Sequence, residues 1–157
     1  MEVQKAPVIR IQRLRKSYGD KEVLKGIDLE IFPGQVIGYI GPNGAGKSTT
    51  VKILTGLIPD FEGEVQFLGR NLRENLLEIK AKIGFVPENA EIYDVLTPLE
   101  YLDFCGKLYG MEEAVIAERA MKLLTAFGIG SNAEQRMDTF SKGMRQKVLL
   151  ISGILHN

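Results

Sequence analysis

Apolar and polar residues alternate along Val8-Ile9-Arg10-Ile11-Gln12-Arg13-Leu14, which predicts a strand with one wet face. The same period of two runs through residues 22–24 and 27–31, until Pro33-Gly34 turns the chain. Residues 35–40 break the alternation. Val36-Ile37-Gly38-Tyr39-Ile40 is a nearly continuous apolar run, as in a central strand buried on both faces. Residues 47–57 then carry Val51, Ile53, Leu54 and Leu57 at helical spacing, which predicts a helix packed on a sheet. A turn at 59–63, a short strand at 64–68 ended by Gly69, a short helix at 76–82 and a short buried strand at 83–86 closed by Pro87 complete the first half.

The second half holds only helical periods. Thr97-Pro98-Leu99-Glu100 combines a capping box with proline at the first helical position. The helix it opens presents Tyr101, Phe104, Cys105 and Leu108 as one face. Residues 112–127 repeat the period with Ile116, Ala120, Leu123, Leu124 and Phe127, and Gly128 supplies the stop. Ser141 caps a last helix, apolar at Met144, Val148, Ile151 and Leu155. The change of character places a boundary between residues 1–95 and 96–157.

The chemistry sits between the first apolar run and the first helix. Gly41-Pro42-Asn43-Gly44-Ala45-Gly46-Lys47-Ser48-Thr49 fits the pattern G-x-x-x-x-G-K-[ST] at every required place, in the strand–loop–helix setting that it needs. Backbone amides suit a polyphosphate because they are cheap to aim and to desolvate. Glycines at 41, 44 and 46 are expected to take positive φ and let the backbone close on the phosphates. The helix start adds unpaired N–H groups and the positive end of its dipole. Lys47 supplies a point charge for the β- and γ-phosphates, and the Ser48 hydroxyl a ligand for Mg²⁺.

Composition narrows the partners. The 157 residues suit one domain, or a domain with a subdomain, and 45% hydrophobic with 25% charged residues is ordinary for a soluble globular chain. Twenty basic against twenty acidic residues give no net pull toward nucleic acid. A lone cysteine, Cys105, makes no internal disulfide and fits a reducing compartment. The N-terminus lacks the layout of a signal peptide, and the longest apolar stretch, 148–155, is too short to span a bilayer. A cytoplasmic location is expected.

Four motifs in order give the chain a family likeness. It resembles the ATP-binding subunit of ABC transporters over nearly its whole length. Lys16-Ser17-Tyr18 ahead of Val23-Leu24 looks like the family's adenine-stacking aromatic loop, and residues 41–49 like its phosphate loop. Ile83-Gly84-Phe85-Val86-Pro87-Glu88 looks like the approach to its Q-loop. Phe140-Ser141-Lys142-Gly143-Met144-Arg145-Gln146-Lys147 is similar to its signature sequence. The form of that last segment looks most like the exporter-type branch.

The resemblance implies an α/β fold: a P-loop NTPase core, here incomplete, with a mixed sheet and an antiparallel β part, plus an α-helical subdomain carrying the signature helix. It implies ATP and Mg²⁺ as cofactors, with Tyr18, Gly41, Asn43, Gly44, Ala45, Gly46, Lys47, Ser48 and Thr49 on the nucleotide and Ser48 and Glu88 on the metal. Ser141, Lys142, Gly143 and Met144 would meet the nucleotide of a second ATP-binding subunit in a head-to-tail dimer. A membrane permease would be the other partner, with the chain peripheral on the cytoplasmic face and no nucleic acid bound. Read alone, Ser141 is as readily an ordinary helix cap, Tyr18 a ring packing a turn, and Glu88 a solvated loop acid. Lys142 points either at phosphate or at water.

The chain departs from the family pattern at Glu88, where a glutamine is usual, and at Lys142 and Met144. His156 comes too early to be the switch histidine and is expected to be a helix-end residue. No apolar strand ending in Asp with an adjacent acid occurs in the sequence, so no catalytic residue is assigned and the chain is expected to bind ATP weakly and hydrolyse little. The gene product is expected to continue past Asn157, and the chain to expose apolar sheet edges and helix faces. Two other functions compete: a soluble ABC ATPase outside transport, and a non-catalytic nucleotide-binding or interaction module.

Overall fold

A computed structural model describes residues 6–87 and 92–157. The chain folds as two compact units, Met1–Lys80 and Ala81–Asn157. The first is built on a hairpin of β1 (Ile9–Tyr18) and β2 (Lys21–Ile31), with Tyr18 opposite Lys21 across the Gly19-Asp20 turn. β3 (Glu62–Phe67) pairs antiparallel with β1, and β4 (Arg70–Asn71) with β3, so the order is β2-β1-β3-β4. α1 (Lys47–Leu54) and α2 (Leu76–Lys80) complete the unit. A bulge between Ile11 and Leu14, with Arg13 at φ 48°, interrupts the alternation along β1 and so delivers both residues to the core, joined there by Leu24, Val65 and Ile53, all buried.

The second unit holds α3 (Pro98–Leu108), α4 (Glu113–Ala126) and α5 (Lys142–Ile154). The capping box at α3 forms on both sides: Thr97 Oγ1 accepts the Glu100 N–H at 3.2 Å, and Glu100 Oε2 accepts the Thr97 N–H at 2.8 Å. α4 stops at Gly128, whose N–H goes to Thr125 O at 3.0 Å while Ile129 N–H reaches back to Leu124 O at 2.9 Å. Leu102, Ile116, Leu124, Val148, Ile151 and Leu155 share one core.

Several expectations are corrected. Residues 35–40 form no strand: Val36 is 99% and Ile40 91% exposed. A strand buried on both faces needs a ladder on each side, and among the described residues no strand pairs with this run. The same holds for 83–86, where Gly84 instead lies against the backbone of Gly153 in α5; a Cβ at 84 would overlap the Gly153 carbonyl.

The apolar face of α3 is also rotated from the one read in the sequence. Phe104 and Leu108 are exposed, while Pro98, Tyr101, Leu102 and Gly106 are buried. Gly106 causes this: with no side chain it lets Ile116 of α4 press onto the helix, so the contact settles on that side. Cys105 is only half-buried, and burial raises its thiol pKa. α1 ends at Leu54, earlier than expected, because Leu57 and Ile58 N–H both turn back to Lys52 O.

Candidate functional site

The loop 41–46 enters α1 through Gly46, which is the N-cap at φ 86° and ψ 7°. Besides this left-handed backbone, what lies beneath it also demands glycine. A Cβ at 46 would overlap Leu24 Cδ2, well inside 3.0 Å, and stand 3.2 Å from Val23 O, so β2 presses on the loop where only hydrogen fits. Gly44 is also left-handed, at φ 82°, but open space surrounds it. Gly41 differs from expectation. Its φ is not in the left-handed region, and a Cβ there would meet Ala45 Cβ at an ordinary 3.5 Å.

Among the described residues, no side chain caps the N-terminus of α1, and no acid stands in its first turn. The first bond inside the helix runs from Thr50 N–H to Gly46 O at 2.8 Å, so the amides of Lys47, Ser48 and Thr49 precede the ladder. Such amides, with the helix dipole behind them, favour an anion. Lys47 folds back over the loop, giving one N–H to Gly41 O at 2.6 Å and another to Pro42 O at 2.9 Å. Among the described residues, one of its three N–H groups is left for a ligand. The Ser48 hydroxyl is exposed.

Sequence reasoning missed the residue that seats this turn. Thr50 is buried; its Oγ1 donates to Gly46 O at 3.1 Å and lies 3.3 Å from Tyr39 OH. A threonine right after the motif was the available signal. Tyr18, at the end of β1, is 50% exposed, and Lys16 Nζ stands 5.2 Å from its ring centroid. Glu88 lies outside the described residues. Among the described residues no group of three acidic, His or Cys side chains could hold a metal ion. Ser48, exposed at the helix start, offers a hydroxyl oxygen of the kind a hydrated magnesium ion accepts.

In the second unit Ser141 is the N-cap of α5, its Oγ accepting the Met144 N–H at 3.3 Å, while Lys142 and Gly143 are exposed. Arg145 holds the turn before it by donating to Met137 O at 3.1 Å and Asp138 O at 3.2 Å. Its place inside the motif was read, but not this clamp. Lys147 donates to Phe127 O, at the end of α4.

His156 follows the end of α5 and stacks on Tyr109 at 3.8 Å between centroids. Burial, then the nearby Arg119 charge, lowers its pKa below 6.5, and its Nδ1 is buried without a partner among the described residues. Folding thus favours neutral imidazole. The stability it contributes is whole above pH 6.5 and is lost as pH falls through the lower folded value. Urea midpoints of the wild type should drop more steeply below that pH than those of His156→Gln; parallel profiles would contradict this.

A glycine loop on a sheet, an open helix start and a folded-back lysine define a P-loop nucleotide-binding protein of the α/β class. The chain belongs to the ABC transporter family, whose model matches residues 24–157. It is 34% identical to the linearmycin resistance ATP-binding protein of Bacillus subtilis over 95% of this chain and 48% of that one. It is 32% identical to a Nod factor export ATP-binding protein of Cupriavidus metallidurans over 96% and 50%. Among solved structures, an ATP-binding subunit of an ABC transporter superposes at TM-score 0.84 with 30% identity, covering 95% of this chain and 62% of that chain. The structure of cbiO1 from Clostridium perfringens, part of the ABC transporter complex cbiONQ, shares the fold at TM-score 0.83 and 23% identity. The chain spans about half the length of the curated relatives it matches. No described helix is long and apolar enough to cross a membrane.

Proposed function

We propose that the chain is the ATP-binding subunit of an exporter-type ABC transporter, acting by ATP-driven closure of a head-to-tail dimer beneath a membrane permease. The observation that carries the reading is the uncapped start of α1 behind Gly46, with the Lys47 ammonium held over the loop by two carbonyls. The amides of 43–49 would receive the phosphates, with Asn43, Gly44 and Ala45 at the turn and Lys47 adding its free N–H. Ser48 would hold Mg²⁺, which when bound neutralises phosphate charge.

The place of Tyr18 on the hairpin supports its proposed role beside the base. Its partner Lys21 lies two to three residues along β2 from the Val23 and Leu24 groups under Gly46. At about 3.3 Å per residue, that is roughly 7–10 Å along the strand, the scale that separates a base from its triphosphate tail. The second anion-receptive helix start, at Ser141, Lys142, Gly143 and Met144, is the surface proposed to meet a partner's γ-phosphate. Losing that phosphate would loosen the pair. Residues 96–157 serve as the helical subdomain that carries this start. The name of one relative, a Nod factor export ATP-binding protein, supports the branch, and peripheral attachment to the cytoplasmic face follows from the proposed permease.

Turnover needs a group that orients water and completes the metal shell. Glu88 is the one candidate named in the sequence. The 157-residue polypeptide is therefore expected to bind ATP with phosphate release near background. A radioactive-phosphate release assay tests this: turnover that disappears in Lys47→Ala would overturn it.

A further inference from the structure

Lys16 is an unusual lysine for a protein surface. Its side chain is 9% exposed, yet its ammonium meets one carboxylate, Asp60, at 2.8 Å, and that acid is 93% exposed. An ion pair open to water on one side contributes little to stability, while burying a long cationic stem is costly. What the arrangement achieves is placement. It ties the end of β1 to the connection between α1 and β3 and sets a cation 5.2 Å from the centroid of the Tyr18 ring. The hydrogen bond and charge of Lys16 hold the Asp60 carboxyl below its usual pKa.

A cation over one face of an aromatic ring is attracted by the ring quadrupole and restrains the ring. Tyr18 keeps half its surface exposed, which leaves area for a base to stack. We propose that Lys16 and Asp60 are a positioning pair that holds Tyr18 as a one-faced platform for the base of a nucleotide. This rests on the reading of Tyr18 as the base-stacking residue. Lys16 acts through the ring and needs no contact with the phosphates.

The test compares ATP with inorganic tripolyphosphate, which has the tail but no base, by calorimetric titration of the full chain with Mg²⁺. Lys16→Met should weaken ATP about three- to fivefold, the size of one exposed cation–π contact, and leave tripolyphosphate unchanged. Asp60→Asn, a change at an exposed position that spares the core, should act in the same direction. Lys16→Arg should restore ATP affinity, and Lys16→Met should add nothing in a Tyr18→Ala background. Equal losses for both ligands in Lys16→Met and Asp60→Asn would mark a general structural role and overturn the proposal. So would ATP affinity that falls in Tyr18→Ala but not in either variant. If Tyr18→Ala itself leaves ATP unaffected, the base-stacking reading fails at its root, and the pair has no platform to position.

Discussion

Lys47→Ala is expected to lower affinity for a nucleoside triphosphate on the order of 100-fold while the chain stays folded. The ammonium does two things at once. It bonds Gly41 O and Pro42 O, which fixes the first turn of the loop, and it offers its last N–H and its charge to the ligand. A charge-assisted hydrogen bond contributes about 1.5–3 kcal/mol, and every 1.4 kcal/mol is tenfold in affinity. Alanine is a favourable residue at a helix start and the lysine is only half-buried, so the fold should survive. Titration calorimetry reads the affinity and circular dichroism the fold. Unchanged affinity in a folded variant would remove Lys47 from the site.

Gly46→Ala should have the largest effect on stability within the loop. A left-handed φ costs a residue with a side chain about 1–2 kcal/mol. Here the new methyl would also overlap Leu24, which is 1% exposed and has no free volume to yield. Overpacking of that kind adds about 1–3 kcal/mol. Against a total stability of about 5–15 kcal/mol for a domain, the sum is a severe loss. The neighbouring glycines set the scale. Gly44→Ala carries only the backbone term, since nothing stands within 4 Å of its Cβ position. Gly41→Ala carries neither and should stay within about 0.5 kcal/mol. Urea denaturation should rank them 46, 44, 41, and equal losses at 41 and 46 would contradict the packing account.

That ranking shows where the sequence was legible. A motif names its glycines but not their separate reasons. The pressure of Leu24 on Gly46 depends on a hairpin residue twenty-two positions earlier, which local pattern cannot reveal. The α3 capping box and the Ser141 cap were readable because each is an interaction over three residues. The face of α3 was not, because Gly106 and Ile116 decide it between two helices. Residues 35–40 misled for a related reason: an apolar run states a preference for burial, whereas a strand exists only where another strand pairs with it. Lys16 was quoted within a motif without a role, since its partner Asp60 is far away in sequence.

The claim beneath all of this is that the amides around Gly44, Gly46 and the start of α1 form a ready-made receptor for a polyphosphate tail. Titrating ATP with Mg²⁺ into the chain, on material shown by circular dichroism to be folded, tests it most directly. The account predicts saturable heat, displaced by inorganic tripolyphosphate. No heat at millimolar ATP from the folded protein would contradict it.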